Sequence, residues 1–152
     1  MTIVWLIAVI LQSQTPSCAT IDVDLPEALA AWRTPAAAES PLQPGQAVSL
    51  PLRPIAEVAT VTAPRIVEGG PTTGALVPLE ISTAGTYGVA LDLPAWIEIV
   101  RDDRVIPSIA HGHGPACSSI RKIVDFPLVP GRYMIQLSGT RATAARILVI
   151  RR

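Results

Sequence analysis

Fifteen prolines are scattered through the 152 residues, and eight of them, Pro26, Pro35, Pro41, Pro44, Pro51, Pro54, Pro64 and Pro71, interrupt the first half. Proline removes a backbone donor and its ring clashes with the preceding turn, so no long helix can run through that spacing. One short stretch escapes. In Pro26-Glu27-Ala28-Leu29-Ala30-Ala31-Trp32 a proline stands at a first helical position, an acid lies in the first turn and alanines fill the interior. That combination predicts a helix of about two turns, with Leu25, Leu29 and Trp32 on one face as a plug at the edge of the core.

From Val48 onward the apolar residues recur with a period of two, which marks half-buried strands. Val77, Leu79 and Ile81 alternate with Pro78, Glu80 and Ser82, and Tyr87, Val89 and Leu91 alternate with Gly88, Ala90 and Asp92. Between them, Ala84-Gly85-Thr86 is short and holds the glycine that a tight hairpin uses. Further strands are expected at Trp96–Arg101, at Arg104–Ile109 after a turn at Asp102-Asp103, at Ile120–Phe126, at Tyr133–Leu137 and at Ala144–Arg151. One or two more fit within Ala47–Thr62. Roughly seven to nine short strands joined by Pro and Gly turns predict an all-β fold, an antiparallel β-sandwich or jelly roll with one short N-terminal helix.

The N-terminus carries a nine-residue apolar run, Ile3 to Leu11, followed by polar Gln12-Ser13-Gln14-Thr15. This is the length of a signal-peptide core and falls well short of the about 20 apolar residues of a membrane span. Residues 1–19 therefore read as a signal peptide, with cleavage between 15 and 19, and residues 20–152 as a single β-sandwich domain in the periplasm or secreted. Cleavage after Ala19 would remove Cys18. Cleavage after Ser17 would leave Cys18 first, where a lipoprotein carries its lipid. The mature chain has room for one hydrophobic core. Twelve basic and twelve acidic residues cancel, which argues against nucleic acid as a partner, and the absence of asparagine excludes N-linked glycosylation. A protein partner or a metal ion remains open.

One segment concentrates reactive side chains. Ala110-His111-Gly112-His113-Gly114-Pro115-Ala116-Cys117-Ser118-Ser119-Ile120-Arg121-Lys122 contains both histidines, one of the two cysteines and the sole lysine. It reads as a loop between strands. His111, His113 and Cys117 offer two imidazoles and a thiolate, a set suited to copper or zinc, with a fourth ligand to come from Asp125, Asp102, Asp103, water or a second chain. A disulfide from Cys18 to Cys117 is the alternative use of the thiol and excludes it as a ligand. Arg121 and Lys122 would point to opposite faces of a strand, one of them beside the loop to hold an anion. No nucleophile elbow, phosphate-binding loop or His-Glu-x-x-His helix is present, and no catalytic residue is assigned.

The pattern Ala84-Gly85-Thr86-Tyr87-Gly88-Val89-Ala90-Leu91 echoes Pro130-Gly131-Arg132-Tyr133-Met134-Ile135-Gln136-Leu137. It suggests two equivalent hairpin entries, each with a tyrosine covering a sheet edge while its hydroxyl reaches backbone or water. This pattern resembles the strands of bacterial pre-peptidase C-terminal domains, which are small β-sandwiches attached to secreted enzymes. With the His-Gly-His-Gly-Pro-x-Cys segment, Trp96-Ile97-Glu98 and Ile120-Arg121-Lys122, the C-terminal half also resembles a family of small exported proteobacterial proteins, some labelled homogentisate 1,2-dioxygenase. Three functions stay open: a periplasmic accessory or binding protein working through the His111 to Cys117 loop, with or without a metal; a purely structural or interaction module; and, as the resemblance implies, a small metal-dependent dioxygenase-like enzyme.

Overall fold

The computed structural model describes residues 17–152. The apolar run assigned to a signal peptide lies outside them. The described chain contains a 3-10 helix η1 (Glu27–Arg33), then β1 (Ala36–Ala37), β2 (Ala47–Pro51) and β3 (Arg53–Pro54), and a second 3-10 turn η2 (Ile55–Glu57). β4 (Thr73–Ile81), β5 (Gly85–Leu91), β6 (Trp96–Arg101), β7 (Arg104–Ile106) and β8 (Ala110–Gly112) follow. The last three strands are β9 (Lys122–Leu128), β10 (Gly131–Thr140) and β11 (Ala144–Arg151). They form a six-stranded sheet ordered β1-β2-β11-β5-β9-β8 and a five-stranded sheet ordered β3-β4-β10-β6-β7. Apart from the parallel β1–β2 pair, all neighbours are antiparallel. The fold is the all-β sandwich that the period-two patterning calls for. Among the described residues no helix is long and apolar enough to cross a membrane.

The apolar alternates meet between the sheets, where Leu79, Val89, Leu91, Ile99, Ile135, Leu137 and Ile147 are fully buried in one cluster. A second cluster lies on the outer face of the six-stranded sheet. There Leu29 and Trp32 pack with Ala47, Ala90, Ile123, Leu148 and Ile150. The plug is as expected, but its helix is 3-10 and not α, closed by Leu29 N–H to the Pro26 carbonyl at 2.8 Å. Side chains three apart eclipse in that geometry, which brings Leu29 and Trp32 into line over the sheet. β5 and β11 are consequently covered on both faces, so the half-buried pattern expected for them is only half the picture.

The expected hairpin at Ala84–Thr86 does not form. β4 belongs to the five-stranded sheet and β5 to the six-stranded one, so the turn carries the chain from one sheet to the other. Pro130-Gly131 does the same in reverse between β9 and β10. The two motifs are therefore equivalent crossovers, and their tyrosines are core residues instead of edge covers. Each hydroxyl donates to the carbonyl four residues back, Tyr87 to Thr83 at 2.6 Å and Tyr133 to Val129 at 2.8 Å. This is the tyrosine corner of β-sandwiches: the ring fills the core while the hydroxyl ties down the bend. By contrast, the turn expected at Asp102-Asp103 does fold β7 back beside β6 as a hairpin. Asp102 and Asp103 have φ of 50° and 59°, the left-handed pair that a two-residue turn between twisted strands requires. β7 ends at Ile106, three residues earlier than expected.

The equivalence extends to whole units. β4, β5 and β6 cross from the five-stranded sheet to the six-stranded sheet and back, while β9, β10 and β11 make the opposite journey. Exchanging the two units turns the β11-β5-β9 order of one sheet into the β6-β10-β4 order of the other.

The outer face of the five-stranded sheet carries Gln136 and Ser138, which alternation makes polar and which the structure nevertheless buries completely. An irregular strap covers them. Gln136 Oε1 accepts from the Val61 and Thr62 amides at 2.8 and 3.2 Å, its Nε2 donates to the Thr62 carbonyl at 3.2 Å, and Ser138 Oγ accepts from the Arg65 amide at 3.0 Å. Gln136→Leu keeps the volume but orphans these backbone groups, so it should cost about 1–3 kcal/mol in denaturant unfolding. Hydrogen exchange should localise the loss to the Val61 and Thr62 amides; unchanged protection there would contradict the strap's dependence on Gln136.

Candidate functional site

The chain arm before η1 is fastened to the segment after His113. Cys18 is bonded to Cys117, 99 residues away, so the alternatives for Cys117 resolve: its sulfur is in a disulfide and offers no thiolate to a metal. The same bond leaves no sulfur on Cys18 for a lipid thioether. Asp22, at φ 64°, donates its amide to the Cys117 carbonyl at 2.9 Å, and Cys117 itself sits at φ 56°. A left-handed cysteine is held only where its surroundings over-determine it, and here a covalent bond and a hydrogen bond both do so. The Asp22 carboxylate accepts from the Ser119 amide and hydroxyl, each at 2.6 Å. Trp32 Nε1 donates to the same hydroxyl at 2.8 Å, and Arg146 Nη1 donates to the Trp32 carbonyl at 3.1 Å. Plug, arm and segment are thus one hydrogen-bonded unit, and nothing in the sequence pattern singles out Asp22 or Arg146 for it.

The segment is less of a loop than expected. It begins as edge strand β8, with His111 opposite Val124 of β9, and so the imidazole shares the face of β9 that turns toward the other sheet. His113 lies two residues on, past the strand's end, with Nδ1 3.3 Å from the Arg121 carbonyl. A carbonyl only accepts, so in this contact Nδ1 is the donor and Nε2 is the ring nitrogen it leaves unused. Gly114 permits the close pass beneath: a Cβ there would lie 2.4 Å from the Ile120 carbonyl oxygen.

These residues surround a cleft of about 370 Å³ at the open end of the sandwich. One wall is Pro94, Trp96 and Ile97, from the approach to β6 and its start; the other is His111, His113 and Val124, with Arg121 and Lys122 at the base of β9. Arg121 precedes β9, so strand alternation does not separate it from Lys122, and both line the same cleft. Lys122 reaches across the gap between sheets, donating from Nζ to the Ala95 carbonyl at 2.8 Å, and lies 6.0 Å from the Trp96 ring. Arg65 of the strap approaches that ring to 4.4 Å. Trp96, 44 % exposed, was legible in the sequence only as the start of a strand. Among the described residues no three or more His, Cys, Asp or Glu side chains are gathered as a metal site.

Burial lowers the pKa of Lys122 below its ordinary value of 10.5. The ammonium is less favoured in the folded chain than in the unfolded one. Folding therefore pays a small penalty at neutral pH, relieved as pH rises through the window between the lowered value and 10.5.

No protein-family model, curated protein or solved structure matches this chain.

Two measurements check this description. Loss of the disulfide through Cys18→Ser should cost about 3–5 kcal/mol of stability in denaturant, as expected for closing a loop of this length in the chain-entropy model. Acylation of Lys122, followed by peptide mapping over a pH series, should reach half-maximal rate below the pH required by a free lysine. A midpoint at or above that of a free lysine would contradict the desolvated setting.

Proposed function

We propose that this protein is an exported accessory or binding protein, and that its working surface is the cleft framed by Trp96, His111, His113, Arg121 and Lys122. The observation that carries this reading is convergence: both histidines and the sole lysine of the chain line one largely apolar opening at the edge of the core. A cleft with an apolar body and a few placed polar groups is the usual form of a small-molecule site. Export is supported by the leader pattern of residues 3–11 and by a disulfide, which persists in an oxidising compartment. With Cys18 bridged, cleavage falls before it, within residues 15–17.

A second reading places copper or zinc on His111 and His113, completed by water or by the bound molecule. Its support is the His113 contact, because a metal-ligating imidazole commonly anchors its other nitrogen on a carbonyl.

Titration of isotope-labelled protein with neutral, cationic and anionic small molecules tests the first reading. Resonances of residues 94–97, 111–113 and 121–124 should shift for at least one class; shifts confined to other surfaces, or none, would overturn it. Zinc or copper retained through dialysis by the wild type and lost in His111→Ala and His113→Ala would favour the metal reading.

A further inference from the structure

The cleft's charge is one-sided. Its lining contains Arg121, Lys122, His111 and His113 and no carboxylate. Nearby acids are committed elsewhere: Asp125 lies on the opposite face of β9 and pairs with Arg152 at 3.3 Å, Asp92 accepts from the Arg146 amide at 2.9 Å, and Glu98 is engaged by Thr62 and Gln136 under the strap. Neither Arg121 nor Lys122 pairs with a carboxylate among the described residues. Lys122 instead reaches a backbone carbonyl, a weaker partner for an ammonium than an anion.

From this geometry we infer that the cleft takes a small amphipathic carboxylate, its anionic head between Lys122 and Arg121 and its aliphatic or aromatic body against Trp96, Ile97 and Val124. The inference rests on the cleft being the working surface and adds the chemistry of its occupant. The Pro94, Trp96 and Ile97 wall is apolar and the base cationic, so a molecule with only one of these properties leaves either that wall wetted or the charges uncompensated. The volume, about 370 Å³, holds a molecule of roughly six to ten heavy atoms beside residual water. Desolvation of the ammonium, which disfavours its charge in the free protein, is offset once an anion sits beside it.

The test compares hexanoate, hexanamide and hexylamine on the full exported protein by amide-resonance titration. Hexanoate should shift residues 94–97 and 121–124, weaken several-fold between low and high salt, and slow acylation of Lys122. Lys122→Met should weaken it about three- to tenfold, the scale of a partly exposed charge pair. Acetylation of the single lysine in folded wild-type protein should do the same, which keeps the test valid should the variant fail to fold. If hexanamide binds the cleft as tightly as hexanoate, the carboxylate inference falls while the cleft stands. If hexylamine binds best, the charge argument is wrong. If no probe of any charge perturbs the cleft, both readings fall.

Discussion

The bond between Cys18 and Cys117 is the constraint on which the organisation of this end of the molecule rests. It ties an arm with no regular structure to a segment that has left its strand, across 99 residues of chain. The Asp22 carboxylate then takes both donors of Ser119, Ser119 takes the indole of Trp32, and Trp32 seals the outer face of the six-stranded sheet. A hydrophobic plug, a covalent bond and a short polar relay are therefore not separate stabilising features. Each fixes a group that the next needs in place, and such contacting groups couple and do not simply add.

The two outer faces of the sandwich are covered by opposite means. On one side small residues, Ala47 and Ala90, share a buried apolar cluster with the indole of Trp32. On the other, Gln136 and Ser138 bind the backbone of a strap that contributes no strand over residues 58–72. The apolar cover needs only area, whereas the polar cover needs every donor matched, because an unpaired buried amide costs more than the bond returns. Strand period and apolar surface alone describe the first cover; the second depends on which backbone amides happen to arrive above the sheet.

Much of the fold was legible. Alternation placed β5, β6 and β11 close to their observed bounds, with β11 at Ala144–Arg151 as expected, but it caught only the second half of β4 and the middle of β10. Asp102-Asp103 read as a turn because two short acidic residues tolerate positive φ. Partnership was not legible. A glycine between two alternating runs looks the same whether the second run folds back beside the first or crosses to the facing sheet, since both need a tight reversal; that is why the Ala84–Thr86 crossover read as a hairpin. Of the cleft, the sequence gathered His111, His113, Arg121 and Lys122 through their closeness along the chain. It could not gather Trp96, which comes from the other sheet, nor foretell that Arg121 and Lys122 would share one cavity.

The exchange of sheets between the two three-strand units bears on how the chain reaches this state. β2, β4, β5 and β6 all draw a main neighbour from β9, β10 or β11. Until residues 122–151 have been synthesised, the earlier strands can form only the short pairs β1–β2, β3–β4 and β6–β7, β5 and β8 have no neighbour at all, and neither sheet can close its core. Acquisition of structure is therefore late and collective, governed by long-range pairing and not by local hairpins. A chain built this way stays threadable until its last strand is delivered, which is the state a polypeptide must hold if it is to pass through a narrow translocation pore before it folds.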